Sequence, residues 1–396
     1  MEFWPTNKTL DPNSSFIWLL PVCLFAALIL QNTLISRLWA YTGIAVVYAL
    51  IVIFFFTSTP RVVIARRRYL LLFYLFASIV FARTVLAPTI PDAIRLISLL
   101  TFTTANLFVI PRVISFRNFC IVITRLSVVL ILIGFLPFLG IHLWIPFIDL
   151  SLWGSQLYWY PSLPPITSVF VNPNQLGALA LVGSITALGE YWERGMRTSS
   201  LFLAINFVGL LFTNYRTGWA AFVAALGLFV VYSLWGRKTL VMAAVCGLST
   251  ITVLLLMVFN VIPGPAFLAE LSLNGRRELW TESYYAFRAY PIWGLNFQGV
   301  SEIVGNPHNS FLRMFIGFGV FGGVLYITLT AGTVIGSARV ARTPYRVILV
   351  MVLTALCIIQ IFNQLSFVGI SMRSSLIAIM MGYYISGAQK FSIQRD

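Results

Sequence analysis

Apolar residues run in long stretches along this chain, and short clusters of arginine, glycine, proline and asparagine divide them. Many of these stretches approach the roughly 20 residues that a helix needs to cross a bilayer. The pattern predicts twelve spanning helices, over about residues 16–35, 39–57, 69–86, 93–110, 119–140, 174–190, 199–214, 218–235, 238–259, 311–334, 346–363 and 367–387. The expected fold class is therefore an all-α polytopic membrane protein, with residues 1–396 forming one integral membrane domain. The first apolar run follows a polar leader and no small-residue cleavage site follows it, so it is read as a span and not as a signal peptide.

Two connections are long, residues 141–173 and 260–310. Function gathers on such loops. Within the second, Arg276, Trp280 and Tyr284 recur at four-residue spacing, which predicts a short helix with those side chains on one face. Pro291 and Gly294 then end it.

Composition narrows the class. The chain is 59% hydrophobic and 9% charged, against about 25% charged in a soluble domain. Its net charge of +15 would suit nucleic acid if the cations were clustered. They are instead sorted by side. Sixteen of the 26 basic residues, among them Arg66, Arg67, Arg68, Arg194, Arg197 and Arg339, fall on one face if both termini are cytoplasmic. That sorting is the positive-inside signal. It also favours anionic inner-leaflet lipid as a partner, with no nucleic acid. The four cysteines are scattered through apolar runs without a CxxC pair, so neither a disulfide framework nor a zinc site is expected. No His or Asp cluster has metal-ligand spacing, so no metal and no cofactor are expected.

Ten arginines break the sorting: Arg37, Arg83, Arg95, Arg125, Arg216, Arg276, Arg277, Arg288, Arg313 and Arg373. Most lie on the outer side or in the outer part of a span. Snorkelling to headgroups accounts for single residues, and Arg37 and Arg125 are read that way. A cluster at membrane depth asks for an anionic partner, and guanidinium forks fit phosphate oxygens. Arg216 lies in the short outer turn TNYRTGW. His308, one of two histidines, lies in GNPHNSFL, just before an apolar run. A neutral imidazole there could act as a general base towards a hydroxyl, and nearby arginines would lower its pKa. His142 reads as interfacial. In SVFVNPNQLG, Asn174 is placed to cap the helix that follows. A transporter or flippase of anionic solutes or lipids would also use outer arginines, but should place its site near the midplane and show repeat symmetry.

FVNPNQLG, then YRTGW, then NGRRELW with YPIWGLNFQG, then PHNSFLRMFIGFGVFGG, taken in this order over about residues 168–325, resemble the O-antigen ligase and polymerase superfamily. The resemblance implies a multi-pass protein of the bacterial inner membrane, both termini cytoplasmic, with its active site facing the periplasm. It implies transfer of a glycan from undecaprenyl pyrophosphate, without metal or nucleotide. Ligases use a sugar of the lipid A core as acceptor, and polymerases use another lipid-linked glycan. By motif position His308 matches the essential histidine, and Arg216 and Arg276 the two essential arginines. Arg277 and Arg288 join them as pyrophosphate-binding candidates. Asn174, Asn309, Trp280 and Arg313 are supporting candidates, with Trp280 and Tyr284 offered to sugars. The ligase reading comes first, and the polymerase reading is the alternative within the family.

Overall fold

The computed structural model describes residues 15–58, 66–142, 144–145, 148–258, 262–263 and 276–387. Helices cover the apolar runs: α1 (Ser15–Leu30), α2 (Arg37–Ser58), α3 (Arg67–Leu86), α4 (Ile90–Val113), α5 (Phe116–Phe135), α6 (Pro173–Arg194), α7 (Arg197–Phe212), α8 (Arg216–Val258), α11 (Ser310–Val340), α12 (Pro344–Phe362) and α13 (Met372–Ile385). Between α8 and α11 lie α9 (Arg276–Ala289) and α10 (Asn296–Ile303). The one sheet among the described residues is a hairpin of two-residue strands, Trp144–Ile145 and Ile148–Asp149. Seven helices among the described residues are long and apolar enough to cross a membrane. Apart from that hairpin the regular structure of the described residues is helical, as in a multi-pass membrane protein.

The runs 218–235 and 238–259 are two helices within α8 that meet at a kink at Gly236, as the hydropathy reading has them; its φ of 77° is one an L side chain rarely adopts. Other helix boundaries differ from the hydropathy reading where one residue decides them. The run 367–387 begins in irregular chain, and α13 starts at Met372, where the Ser371 hydroxyl accepts from the Ser374 N–H at 3.1 Å. α6 runs past residue 190 to Arg194 because its charged last turn is neutralised internally. Lys8, Arg61, Lys390, Arg395, Glu270 and both chain termini lie outside the described residues.

Without water between helices, small residues and interhelical hydrogen bonds hold such a bundle together. The α5–α6–α7 group shows both. Thr124 and Thr186 share a hydrogen bond of 2.8 Å, and the Ser127 hydroxyl donates to Asn206 Oδ1 at 2.5 Å. A Cβ at Gly183 would overlap Asn206 and Ser127, so glycine permits this approach. α12 is the central helix, with 89% of its apolar window buried, whereas α2 is peripheral at 28% and shows its apolar side chains to lipid.

The connections α3–α4, α5–α6, α7–α8 and α12–α13 and the start of α11 lie at one end of the bundle. Asn363 and Tyr215 meet there, as do Asp92 and the start of α10. The ion pairs gather elsewhere. Arg125 and Arg194 share Glu190 at 3.0 and 3.3 Å, and Arg117 lies 3.7 Å from Glu193, all near the far end of α6. Arg125 is therefore an ion-paired residue and not a snorkelling one.

Candidate functional site

His308 stands in a turn fixed on every side. Its own N–H donates to Asn306 Oδ1 at 3.0 Å, and its φ of 47° is left-handed. Such backbone persists only where surroundings over-determine it, and it recurs at functional positions. The Trp280 indole N–H donates to the Pro307 carbonyl at 2.7 Å. Asn309 caps α11, its Oδ1 accepting from the Leu312 N–H at 3.0 Å. The Ser310 hydroxyl donates to the Asn363 carbonyl at 3.0 Å. The imidazole remains half-buried among these fixed neighbours.

The glycines of IGFGVFGG bring the second long loop onto α11. The helix breaks at Phe318 and Gly319. Its interrupted backbone is re-satisfied from the loop: the Leu295 N–H donates to Ile316 O, and the Val320 N–H to Pro291 O, each at 2.8 Å. A Cβ at Gly319 would overlap the Ile292 carbonyl, and one at Gly294 the Gly317 backbone. Both glycines also have positive φ, 66° and 67°. This backbone-to-backbone packing fixes α9 and α10 over the start of α11.

Arg276 opens α9 and lies in the electrostatic field of His308, Arg216 and Tyr215. Burial first, and then the Arg276 guanidinium, hold the His308 imidazole below the usual histidine value. Burial, then Arg216, lower Arg276 as well. Arg216 opens α8 beside Asn214, whose φ of 53° makes the turn. The first long loop is tied to that turn: Tyr158 N–H donates to Asn214 Oδ1, and Asn214 Nδ2 donates to Gln156 O, both at 3.1 Å. The Arg216 guanidinium lies over the Tyr158 ring at 5.3 Å. The adjacent Tyr215 is buried against Gly177 of α6. Burial raises its pKa, opposed by Arg373 and Arg276. Asn363 reaches the Tyr215 hydroxyl at 3.4 Å.

Four segments distant in sequence thus bring His308, Arg276, Arg216, Tyr215, Asn363 and Arg373 into one region. A half-buried imidazole of lowered pKa in the field of Arg276, which is itself in the field of Arg216, can accept a proton while the guanidinium groups hold phosphate oxygens. Tyr215, Asn363 and the role of Arg373 escape a sequence reading. Tyr215 precedes the arginine of YRTGW, but nothing in its neighbours tells that it turns inward.

The other candidates separate by exposure. Trp280 is fully buried, so it does not face sugars. Its indole instead anchors the histidine turn, because α9 packs that face against α11. Tyr284 is 47% exposed and carries Arg288 over its ring at 5.9 Å. Arg288 is exposed and Arg277 half-buried on α9. Asn174 is not the cap of α6: Asn172 is, its Oδ1 accepting from the Asn174 N–H at 2.8 Å, because Pro173 at the first helical position has no N–H to offer. Arg313 lies beyond the histidine turn, near Arg95 and not among the groups around Arg276. His142 is exposed in the first long loop.

Residues 201–327 match the family model described as O-antigen ligase, a stretch that includes Arg216, Arg276 and His308. No curated protein matches the chain. Over residues 201–327, about a third of the chain, the protein is similar to the O-antigen ligase family.

Proposed function

We propose that this protein is a glycosyltransferase of the periplasmic face, with both termini cytoplasmic and twelve crossings of the bacterial inner membrane. It moves a glycan from undecaprenyl pyrophosphate to a sugar hydroxyl of the lipid A core. The observation that carries the reading is His308 in its fixed left-handed turn within the family-matched stretch, its pKa lowered by burial and then by Arg276.

The donor already bears a good leaving group. Arg216 and Arg276 bind its pyrophosphate and stabilise the charge that grows there as the glycosidic C–O bond breaks. Arg277 and Arg288 line the approach on α9. The acceptor oxygen attacks the anomeric carbon, its proton passes to the His308 imidazole, and undecaprenyl pyrophosphate departs. One direct displacement inverts the anomeric carbon. Asn309 and Trp280 hold the histidine turn in register for this geometry. Tyr158 and Tyr284 offer exposed faces to sugar rings.

The acceptor decides between ligase and polymerase. Purified chain is given undecaprenyl-pyrophosphate-linked glycan with lipid A core or with no added acceptor. A ligase makes one transfer to core lipid with inversion. Chain growth on the polyprenyl carrier without core lipid would instead make it a polymerase. No transfer in either arm, with donor intact and protein folded, would favour a transporter of anionic lipids.

A further inference from the structure

A second positive centre lies near the histidine turn, linked to it through Gln364 and Asn306. The Arg95 and Arg313 guanidinium groups both sit over the Phe297 ring, at 5.0 and 5.3 Å, and the charge of Arg95 acts on Arg313. Phe297 is 4% exposed. Arg95 Nη1 is buried and has no hydrogen-bond partner among the described residues. With its amide oxygen turned towards the guanidinium, Gln364 meets Arg313 Nε at 2.9 Å while its nitrogen reaches Asn306 Oδ1 at 2.7 Å. That contact is neutral. Asp92 is the nearby carboxylate, and its charge acts on both arginines; its own hydrogen bonds go elsewhere, Oδ1 accepting from the Phe297 and Gln298 N–H groups at 3.0 and 3.2 Å and Oδ2 from the Thr89 hydroxyl at 2.6 Å. Among the described residues neither arginine has a carboxylate within ion-pair distance, whereas Arg125, Arg194 and Arg117 each have one.

Stacking on one ring contributes about 0.5–2 kcal/mol per cation. Both arginines are half-buried and share the field of one carboxylate, so the centre keeps a net positive charge partly withdrawn from water, which is unfavourable without a counter-ion. The balance calls for an anion. Arg276 acts on His308 and Arg216 on Arg276, whereas Arg95 acts on Arg313 and those two share the Phe297 ring, so they form a second grouping of positive charge. They are joined mechanically, through Gln364 and Asn306, to the turn that carries His308. A base near two groupings of cations suits a reaction between two anionic molecules.

We propose that the Arg95–Phe297–Arg313 pocket binds a phosphate group of the acceptor, so that this enzyme takes a phosphorylated acceptor and reads its phosphate beside the transfer site. The proposal rests on the transferase reading above, with Arg216 and Arg276 serving the donor.

The test uses the full chain in nanodiscs and the variants Arg95→Gln, Arg313→Gln and both together. Direct binding is measured for undecaprenyl pyrophosphate, for phosphorylated core lipid, and for the same core lipid after phosphatase treatment. Wild-type protein should bind the phosphorylated core lipid at least about tenfold more tightly than the treated one, roughly the worth of one charge-assisted hydrogen bond. The double variant should lose that preference and raise KM for acceptor, with donor binding and donor KM unchanged. Circular dichroism and thermal melting of the variants confirm the fold. Inorganic phosphate at millimolar concentration should compete only weakly; full competition would mean that the site takes free phosphate and overturn the acceptor assignment. Equal affinity for both core lipids, or a loss of donor binding in the double variant, would overturn it as well. If wild type binds core lipid with the phosphate preference but does not bind undecaprenyl pyrophosphate, the donor reading fails and the pocket stands.

Discussion

The Trp280 indole N–H and the Pro307 carbonyl oxygen lie 2.7 Å apart, so one buried side chain on α9 holds the backbone next to His308. Trp280→Phe keeps much of the apolar volume and removes the donor. The account expects a stability loss of about 1–3 kcal/mol from the unpaired carbonyl. It also expects kcat to fall more than KM, because a misplaced base harms the transition state and not binding. Steady-state kinetics with a thermal melt separate the two effects. An unchanged kcat at full occupancy would mean that the turn holds its shape without the indole.

The pH dependence has a definite sign. His308 is held below the usual histidine value of about 6.5. It is therefore neutral and competent at neutral pH, and activity is lost as pH falls through that lowered value. The acid limb of kcat/KM should lie below about pH 6.5. Burial, the larger cause, remains in Arg276→Gln, but one cation is gone, so the limb should move upward. Nitrogen-15 imidazole titration reads this directly, and His142→Gln assigns the other histidine. A limb that stays put would detach Arg276 from the base.

Gly319 and Gly247 make a matched pair. A Cβ at Gly319 would overlap the Ile292 carbonyl, and its φ is 66°. A Cβ at Gly247 meets nothing within 4 Å. Gly319→Ala should destabilise by about 1–3 kcal/mol from backbone strain alone, with a further loss from displacing residues 291–295. Gly247→Ala in the interior of α8 should be neutral or slightly stabilising, as alanine is the better helix former by about 1 kcal/mol. Thermal melts in detergent rank the two variants, and equal melting would contradict the packing described.

Glu190 is 2% exposed at its side chain and serves both Arg125 and Arg194. Glu190→Gln should weaken the α5–α6 contact by at most about 1.5–3 kcal/mol, the range for hydrogen bonds to charged groups. Arg125 is 42% exposed, so solvent screens part of that energy. Because the pair lies at the far end of the bundle, donor KM should not change. A large donor KM effect would show that the two ends are coupled.

Much of this was legible in the chain before folding. Hydropathy located the helices because lipid demands unbroken apolar runs, and GRRELW gave α9 through its four-residue spacing. Where hydropathy erred, short-range chemistry decided: Asn172, not Asn174, caps α6 because Pro173 shifts the pattern by two residues. The fate of Trp280 was not legible, since helical spacing tells which residues share a face but not whether that face meets water or protein. Tyr215, Asn363 and Gln364 enter the site only through long-range packing. Arg95 and Arg313 stood out in sequence as outer cations, but their shared ring, Phe297, comes from a segment far from Arg95.

The most direct test of the central claim is transfer from undecaprenyl-pyrophosphate-linked glycan by wild-type and His308→Asn protein side by side. Asparagine tolerates the left-handed backbone at this position better than other residues, so the turn is kept while the base is removed. The account predicts a fall in kcat of about 10²–10⁴-fold, typical of losing a general base, with donor binding intact. A His308→Asn protein that transfers glycan at the wild-type rate would contradict it.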